Sequence, residues 1–323
     1  MKILLTGAAG FIGFHTARVL LERGDTVRGL DNLNDYYDVR LKQTRLAALE
    51  PFDRFSFASA DIADPDQLAQ AAAGDYDVII HLAAQAGVRY SVENPYAYVH
   101  SNVTGQVAMF ELAARLGKLP VVYASSSSVY GANDKIPFSE TDRVDQPVSV
   151  YAATKRAGEL LAQAYKETHG LASTGLRFFT VYGRYSRPDM APWLFTDAIL
   201  KGRPIAVFNN GDMERDFTHV SDIAAGVVAS ADRIVAHPHD TATVYNLGNN
   251  DPVRLLDFID AIERATGRKA TMEMKPKPAG DVLRTYADIA LAERDLGFRP
   301  RTGLREGIAD FVEWFRGYNG YPD

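Results

Sequence analysis

Gly7-Ala8-Ala9-Gly10-Phe11-Ile12-Gly13 is the stretch on which the fold turns. A short apolar run over residues 2–6 leads into it. A helical pattern over 11–23 leaves it, carried by Phe11, Ile12, Ala17, Val19, Leu20 and Leu21, with Gly24 as the stop. Glycine permits the tight turn and lets the backbone come close to a phosphate. The helix N-terminus then offers N–H donors and a partial positive charge. The glycine pattern taken alone reads equally well as an ordinary turn. Its surroundings sharpen it: Thr26-Val27-Arg28-Gly29-Leu30 reads as a second strand, and Asp31 stands at its end. That is about 20 residues on, where a dinucleotide-binding unit carries an acid for the adenosine ribose.

Working outward, Phe55–Ala58, Asp77–Leu82 and Leu119–Ala124 are further short apolar runs, separated mostly by helical stretches near 65–73, 95–116 and 151–168. Such alternation means βαβ units and a parallel sheet. The expected fold is α/β: a Rossmann-type doubly wound sheet with a smaller C-terminal substrate-binding lobe. Proline and glycine grow denser around 183–212 and 275–281, which suggests residues 1–176, with about 216–243 returning, as the dinucleotide domain, and 177–215 with 244–323 as the lobe. The 323 residues are 46% hydrophobic and 24% charged, ordinary for a globular protein, and the net charge of −6 favours neither nucleic acid nor an anionic membrane. With no cysteine, disulfides and thiolate metal sites are excluded, and the seven histidines form no metal-ligand pattern. Residues 2–6 run straight into the glycine loop without a long apolar segment or cleavage site, so a cytoplasmic protein is expected.

A carboxylate at Asp31 accepts hydrogen bonds from ribose hydroxyls and repels a 2′-phosphate. Asn32 and Leu33 follow it rather than an arginine, so NAD is expected over NADP. Asp61-Ile62, after the third strand, reads as an adenine contact. Tyr151-Ala152-Ala153-Thr154-Lys155 puts a phenol and an ammonium one turn apart on a helix face. A phenol titrates near 10, too high for a base at neutral pH, and a neighbouring cation favours the phenolate. Such a pair removes a hydroxyl proton while hydride leaves the same carbon. Ser125-Ser126-Ser127-Ser128, about 25 residues upstream, reads either as a polar turn or as hydroxyls that orient the reacting oxygen.

Together these features resemble the extended short-chain dehydrogenase/reductase superfamily over nearly the whole chain. The likeness rests on Thr6 to Gly13, Asp31, His81-Leu82-Ala83-Ala84, Asn102, Ser126, Ser128-Val129-Tyr130-Gly131, Tyr151 and Lys155. Longer strings resemble the UDP-glucuronate 4-epimerases within it: Asp31 to Asp38, Ala84 to Ser91, Leu176 to Gly183, and Arg187-Pro188-Asp189-Met190-Ala191. The resemblance implies that Gly7, Gly10, Phe11, Ile12, Gly13, Asp31, Asn32, Asp61 and Ile62 hold a tightly bound NAD, with Leu82, Ala83, Ala84, Asn102, Tyr151 and Lys155 against it. Tyr151 would be the base, with Lys155 and the serines Ser126, Ser127 and Ser128 beside it. Thr180 stands where galactose-type epimerases carry asparagine, and Thr180 with Arg187 would hold a sugar carboxylate. Ser126, Ser128 and Tyr151 would touch the sugar. Arg215 would meet the diphosphate, Val207 and Phe208 in the 204–208 strand would lie along uracil, and Asp281 would sit near the nucleotide. Lys277 stands before Asp281 where relatives often have arginine, leaving Lys277 or Arg284 as the second diphosphate cation. Arg89 reads as a contact for the carboxylate or phosphate, or as an unrelated surface cation.

The implied reaction is C4 epimerisation of UDP-glucuronate to UDP-galacturonate through a 4-keto sugar, in a homodimer packed through the helix of Tyr151 and the one before it; Leu160, Leu161 and Ala164 read either as that seam or as core packing. Decarboxylases and 4,6-dehydratases of the superfamily usually carry an acid in the serine triplet, and Ser126-Ser127-Ser128 has none. Epimerisation of a neutral UDP-hexose, decarboxylation of UDP-glucuronate and non-catalytic NAD binding are the alternatives.

Overall fold

The computed structural model describes residues 1–238, 243–276 and 283–322. Its first half alternates strand and helix: β1 (Lys2–Thr6), α1 (Phe11–Glu22), β2 (Thr26–Asp31), α2 (Val39–Ala47), β3 (Phe55–Ser59), α3 (Pro65–Ala71), β4 (Val78–His81). Then come α4 (Tyr90–Glu93), α5 (Pro95–Tyr98), a π-helical turn (Val99–Thr104), α6 (Gly105–Arg115), β5 (Val121–Ser126), α7 (Val150–His169) and β6 (Ser173–Phe178). The second half holds β7 (Thr180–Tyr182), α8 (Ala191–Leu200), β8 (Ile205–Phe208), β9 (Glu214–His219), α9 (Val220–Ala236) and β10 (Thr243–Leu247). It ends with β11 (Pro252–Arg254), α10 (Leu255–Thr266), β12 (Met272–Lys275), α11 (Ala290–Leu296) and α12 (Leu304–Asn319).

The main sheet has seven strands in the order β10-β6-β5-β4-β1-β2-β3, all parallel. Ile3, Leu4 and Leu5 of β1 and Val78, Ile79 and Ile80 of β4 are fully buried. Such unbroken apolar runs are what central strands covered by helices on both faces require, each large side chain contributing about 1.5–3 kcal/mol. Strand order reverses between β1 and β4, and a ligand crevice is expected there, beyond the carboxyl ends of the strands. The lobe is built from a three-stranded sheet β11-β9-β7, the parallel pair β12-β8, and a core in which Phe217 stacks on Phe258 at 4.2 Å.

Three features differ from the sequence reading. The expected helix over 95–116 is broken by the π-helical turn, whose wider coil carries the buried Asn102. Residues 216–219, expected to return to the dinucleotide domain, lie in β9 of the lobe sheet, and only α9 packs back, on α1. Conversely β10, expected in the lobe, pairs with β6 at the edge of the main sheet, and α11 packs against it. No helix among the described residues is long and apolar enough to cross a membrane.

Candidate active site

A cleft of about 400 Å³ opens along the carboxyl ends of β1, β2, β4, β5 and β6. At its centre the glycine loop is packed without room for a side chain. Gly7 has φ +73°, and a Cβ there would lie 2.7 Å from the backbone nitrogen of Ala83. A Cβ on Gly13 would lie 2.0 Å from the Gly7 carbonyl oxygen. The Gly7 N–H donates to Leu30 (2.7 Å) and the Gly10 N–H to Gly7 (2.8 Å). No side chain caps α1, so its first N–H groups are left for a ligand at the cleft. Asp31 also faces the cleft and accepts from the Leu33 N–H at 2.8 Å. A loop that any Cβ would fill, an uncapped helix and a carboxylate at the end of β2 are the parts a dinucleotide needs, so these residues fit NAD.

One wall of the cleft is set by α7. Ser149 caps it, accepting from the Ala152 N–H at 3.1 Å. Tyr151 and Lys155 both line the cleft. The Lys155 ammonium donates to the Ala124 carbonyl at 3.0 Å and lies 6.0 Å from the Tyr151 ring centroid. Burial pushes Lys155 down to about 8. Burial raises the Tyr151 phenol, while its hydrogen bond to Ser126 and the Arg187 charge pull it back. Ser126 and Ser128 are bonded to each other at 3.2 Å, and Ser127 lines the same wall. The Ser125 hydroxyl instead donates to Glu159 at 2.7 Å, where the buried Arg177 makes two bonds of 2.8 Å. Neighbouring strand residues point to opposite faces, which separates Ser125 from Ser126.

Gly7, Gly10, Phe11, Ile12, Gly13, Asp31, Asn32, Ile62, Leu82, Ala83, Ala84, Ser126, Ser127, Ser128, Tyr151, Lys155, Thr180 and Arg187 are all brought together around this cleft. Asn102 is not in its wall. It accepts from the Gln85 N–H (2.8 Å) and donates to the Gln85 carbonyl and to Thr154 (3.0 Å each), tying the loop after β4 to α7. Asp61 lies to one side, accepting from Ala63 and Asn32. Val207 is fully buried in the lobe core, so only its backbone is available to a ligand. Arg89 is an exposed residue whose guanidinium lies 5.0 Å over the Phe208 ring. Arg215 donates to the carbonyls of Glu214 and Leu283. Arg284 pairs with Glu214 at 3.0 Å. Lys277 and Asp281 lie outside the described residues. His81 is buried, bonded to Thr6 at 2.8 Å and pushed down to about 3 by burial, so it is neutral. No group of acids and histidines among the described residues is arranged to hold a metal.

Sequence reasoning missed the contribution of α2. Its buried face carries Leu41, Lys42, Arg45 and Leu46, and two cations on an apolar helical face were the available signal. Lys42 is 3.7 Å from Asp31 and donates to Asn34 at 3.0 Å. Arg45 donates to the Ala9 carbonyl of the glycine loop (2.8 Å), to the Tyr37 hydroxyl (2.7 Å) and to the Tyr185 carbonyl (2.6 Å), placing positive charge behind the phosphate cradle. Arg187 is not an isolated cation either: it is bound on one edge by Asp189.

The model of the NAD dependent epimerase/dehydratase family matches residues 3–248. A probable UDP-glucuronate 4-epimerase from Rhizobium meliloti is 46% identical, the match covering 98% of this chain and 97% of that one. UDP-glucuronate 4-epimerase 4 from Arabidopsis thaliana is 47% identical over 98% of this chain and 76% of its own. Among solved structures, UDP-glucuronic acid 4-epimerase from Bacillus cereus, in complex with UDP-glucuronic acid and NAD, superposes with a TM-score of 0.90. It is 33% identical, with 98% of this chain and 100% of that one covered.

Proposed function

The chain belongs to the NAD dependent epimerase/dehydratase family, and on that footing we propose that it interconverts UDP-glucuronate and UDP-galacturonate by inversion at C4. The observation that carries this reading is one cleft in which Tyr151, Ser126 and Lys155 stand together with Thr180 and Arg187. The first three act on a hydroxyl; the last two suit a carboxylate.

The glycine loop, the first turn of α1 and Asp31 hold NAD, with Lys155 and residues 82–84 against it. When bound, that group would supply reversible hydride acceptance at C4 of the sugar. Tyr151 removes the 4-hydroxyl proton and later gives it back. The Lys155 ammonium favours the phenolate, and Ser126 keeps the phenol oriented. Inversion requires the 4-keto sugar to present its other face while the nucleotide stays anchored. Phe208 and the backbone of Val207, with Arg215, serve that anchor, and Arg89 stacked on Phe208 closes its rim. The 4-keto hexuronate is a β-keto acid. It loses carbon dioxide when the bond from C5 to the carboxylate aligns with the carbonyl π system, and Thr180 and Arg187 hold the carboxylate away from that alignment. A serine triplet without an acid leaves no proton donor for dehydration.

The seven-stranded body carries NAD, and the lobe carries the nucleotide sugar. Val92, Tyr96, Val99 and Leu160 are exposed on α4, α5, the π-helical turn and α7; a second copy covering them makes the homodimer, which sedimentation equilibrium tests. The catalytic reading is tested by anion-exchange separation of products from either UDP-uronate. The same equilibrium mixture from both sides is the expected result. Release of a UDP-pentose as the main product, or turnover of UDP-glucose alone, would replace it.

A further inference from the structure

The Arg187 guanidinium has five N–H donors in one plane. Nε donates to Asp189 Oδ1 at 2.9 Å and Nη2 to Asp189 Oδ2 at 2.8 Å, so the side edge is filled. The end edge, formed by Nη1 and the second N–H of Nη2, meets no protein acceptor among the described residues, and Arg187 lines the cleft near Tyr151. Asp189 is itself held: the Tyr36 hydroxyl donates to Oδ2 at 3.1 Å. Burial pushes Tyr36 up to about 12, so it remains a donor at working pH. Room for that hydroxyl comes from Gly87, where a Cβ would stand 2.8 Å from it. Tyr36 also belongs to the loop that follows Asp31. Its backbone N–H reaches Asn34 at 3.4 Å, Asn34 accepts from Lys42 at 3.0 Å, and Lys42 pairs with Asp31 at 3.7 Å. A chain of contacts therefore runs from the ribose acid to the guanidinium.

We propose that Asp189, held by Tyr36, is the positioning residue of the carboxylate clamp: it fixes the Arg187 guanidinium so that only the end edge meets the sugar carboxylate. This rests on the UDP-glucuronate reading above. A guanidinium released from Asp189 turns and grips with its side edge as well, and it draws the carboxylate carbon out of the plane of the 4-ketone. The bond from C5 to the carboxylate then reaches the π system of the 4-ketone. It breaks, its electron pair passes into the C4–C5 enolate, a solvent proton adds at C5, and carbon dioxide leaves. Asp189 also cancels much of the guanidinium charge, so the clamp selects the acid by geometry more than by net charge.

The experiment compares wild type, Asp189→Asn and Tyr36→Phe for KM with UDP-glucuronate, for carbon dioxide released per UDP-galacturonate formed, and for UDP affinity by calorimetry. Asp189→Asn uncovers a cation, so KM falls by up to about fivefold, the scale of a partly exposed pair. Its carbon dioxide ratio rises about tenfold or more, the scale of one charged hydrogen bond lost. Tyr36→Phe keeps the ion pair, so KM stays within about twofold while the ratio rises by a smaller factor. UDP affinity is unchanged in both. A merely structural role would raise KM and weaken UDP together, and that result overturns the proposal, as does a wild-type carbon dioxide ratio in both variants. If the wild type leaves UDP-glucuronate unchanged, the reading beneath fails and the proposal with it.

Discussion

Substituting Gly13 by alanine tests the cofactor cradle with a single methyl group. The new Cβ would stand 2.0 Å from the Gly7 carbonyl oxygen and 2.7 Å from the Gly7 carbonyl carbon. An ordinary carbon–oxygen contact needs roughly 1.2 Å more, and both partners are backbone, so no side chain turns away to relieve it. The loop must shift, and the 2.8 Å bond from Gly10 to Gly7 is strained with it. Overpacking of about 1–3 kcal/mol and about 1 kcal/mol for the hydrogen bond together cost roughly 3 kcal/mol. At about 2–4 °C per kcal/mol for chains of moderate size, Tm falls by roughly 6–12 °C. The larger effect is functional: moving the phosphate-binding N–H groups by about 1 Å lowers NAD affinity about 100-fold. Gly317→Ala is the control. It lies in α12 with nothing within 4 Å of its Cβ position and gains about 0.5–1 kcal/mol. Scanning calorimetry and NAD recovered from the denatured protein read both effects. Gly13→Ala protein with full NAD and a Tm within about 1 °C of wild type would refute the cradle.

Tyr151→Phe should lower turnover by about 10²–10⁴ with NAD still bound; activity within tenfold of wild type removes Tyr151 as the base. Arg187→Ala should raise KM for UDP-glucuronate and release carbon dioxide during turnover, and an unchanged KM with no gas evolved contradicts the clamp. Lys155 is held near 8 by burial, so kcat/KM should fall as pH rises through about 8 and the ammonium is lost; a flat profile from pH 7 to 10 would oppose that role. Stability moves the other way. The folded-state value lies below the ordinary 10.5, so the unfolded chain holds more protons between those values and this group's burial cost is relieved as pH rises. Lys155→Met should abolish that rise in Tm, and a Met variant with the same pH slope would assign it elsewhere.

Much of this is legible in the sequence, because its causes are local. The glycine spacing, Asp31 at the end of β2, and Tyr151 four residues before Lys155 each follow from chain geometry over a turn or a strand. The return of β10 to the edge of the main sheet was not legible. Its register with β6 is set by residues some 70 positions apart, and its five residues read the same in either domain. The partner of Arg187 was close in sequence, yet Asp189 gains its meaning from Tyr36, 153 residues away. Lys42 stood in plain view eleven residues after Asp31. The loop that brings Lys42 to within 3.7 Å of Asp31 has no periodic signature.

The most direct measurement is proton NMR of UDP-glucuronate in deuterium oxide with the purified protein, with and without added NAD. Hydride that leaves C4 and returns within one cleft carries no solvent hydrogen. A growing UDP-galacturonate anomeric signal, with no pentose signal and full proton intensity at C4, is the expected result. A UDP-pentose signal, deuterium at C4, or an unchanged spectrum even with NAD present would contradict epimerisation by Tyr151 over a clamped carboxylate.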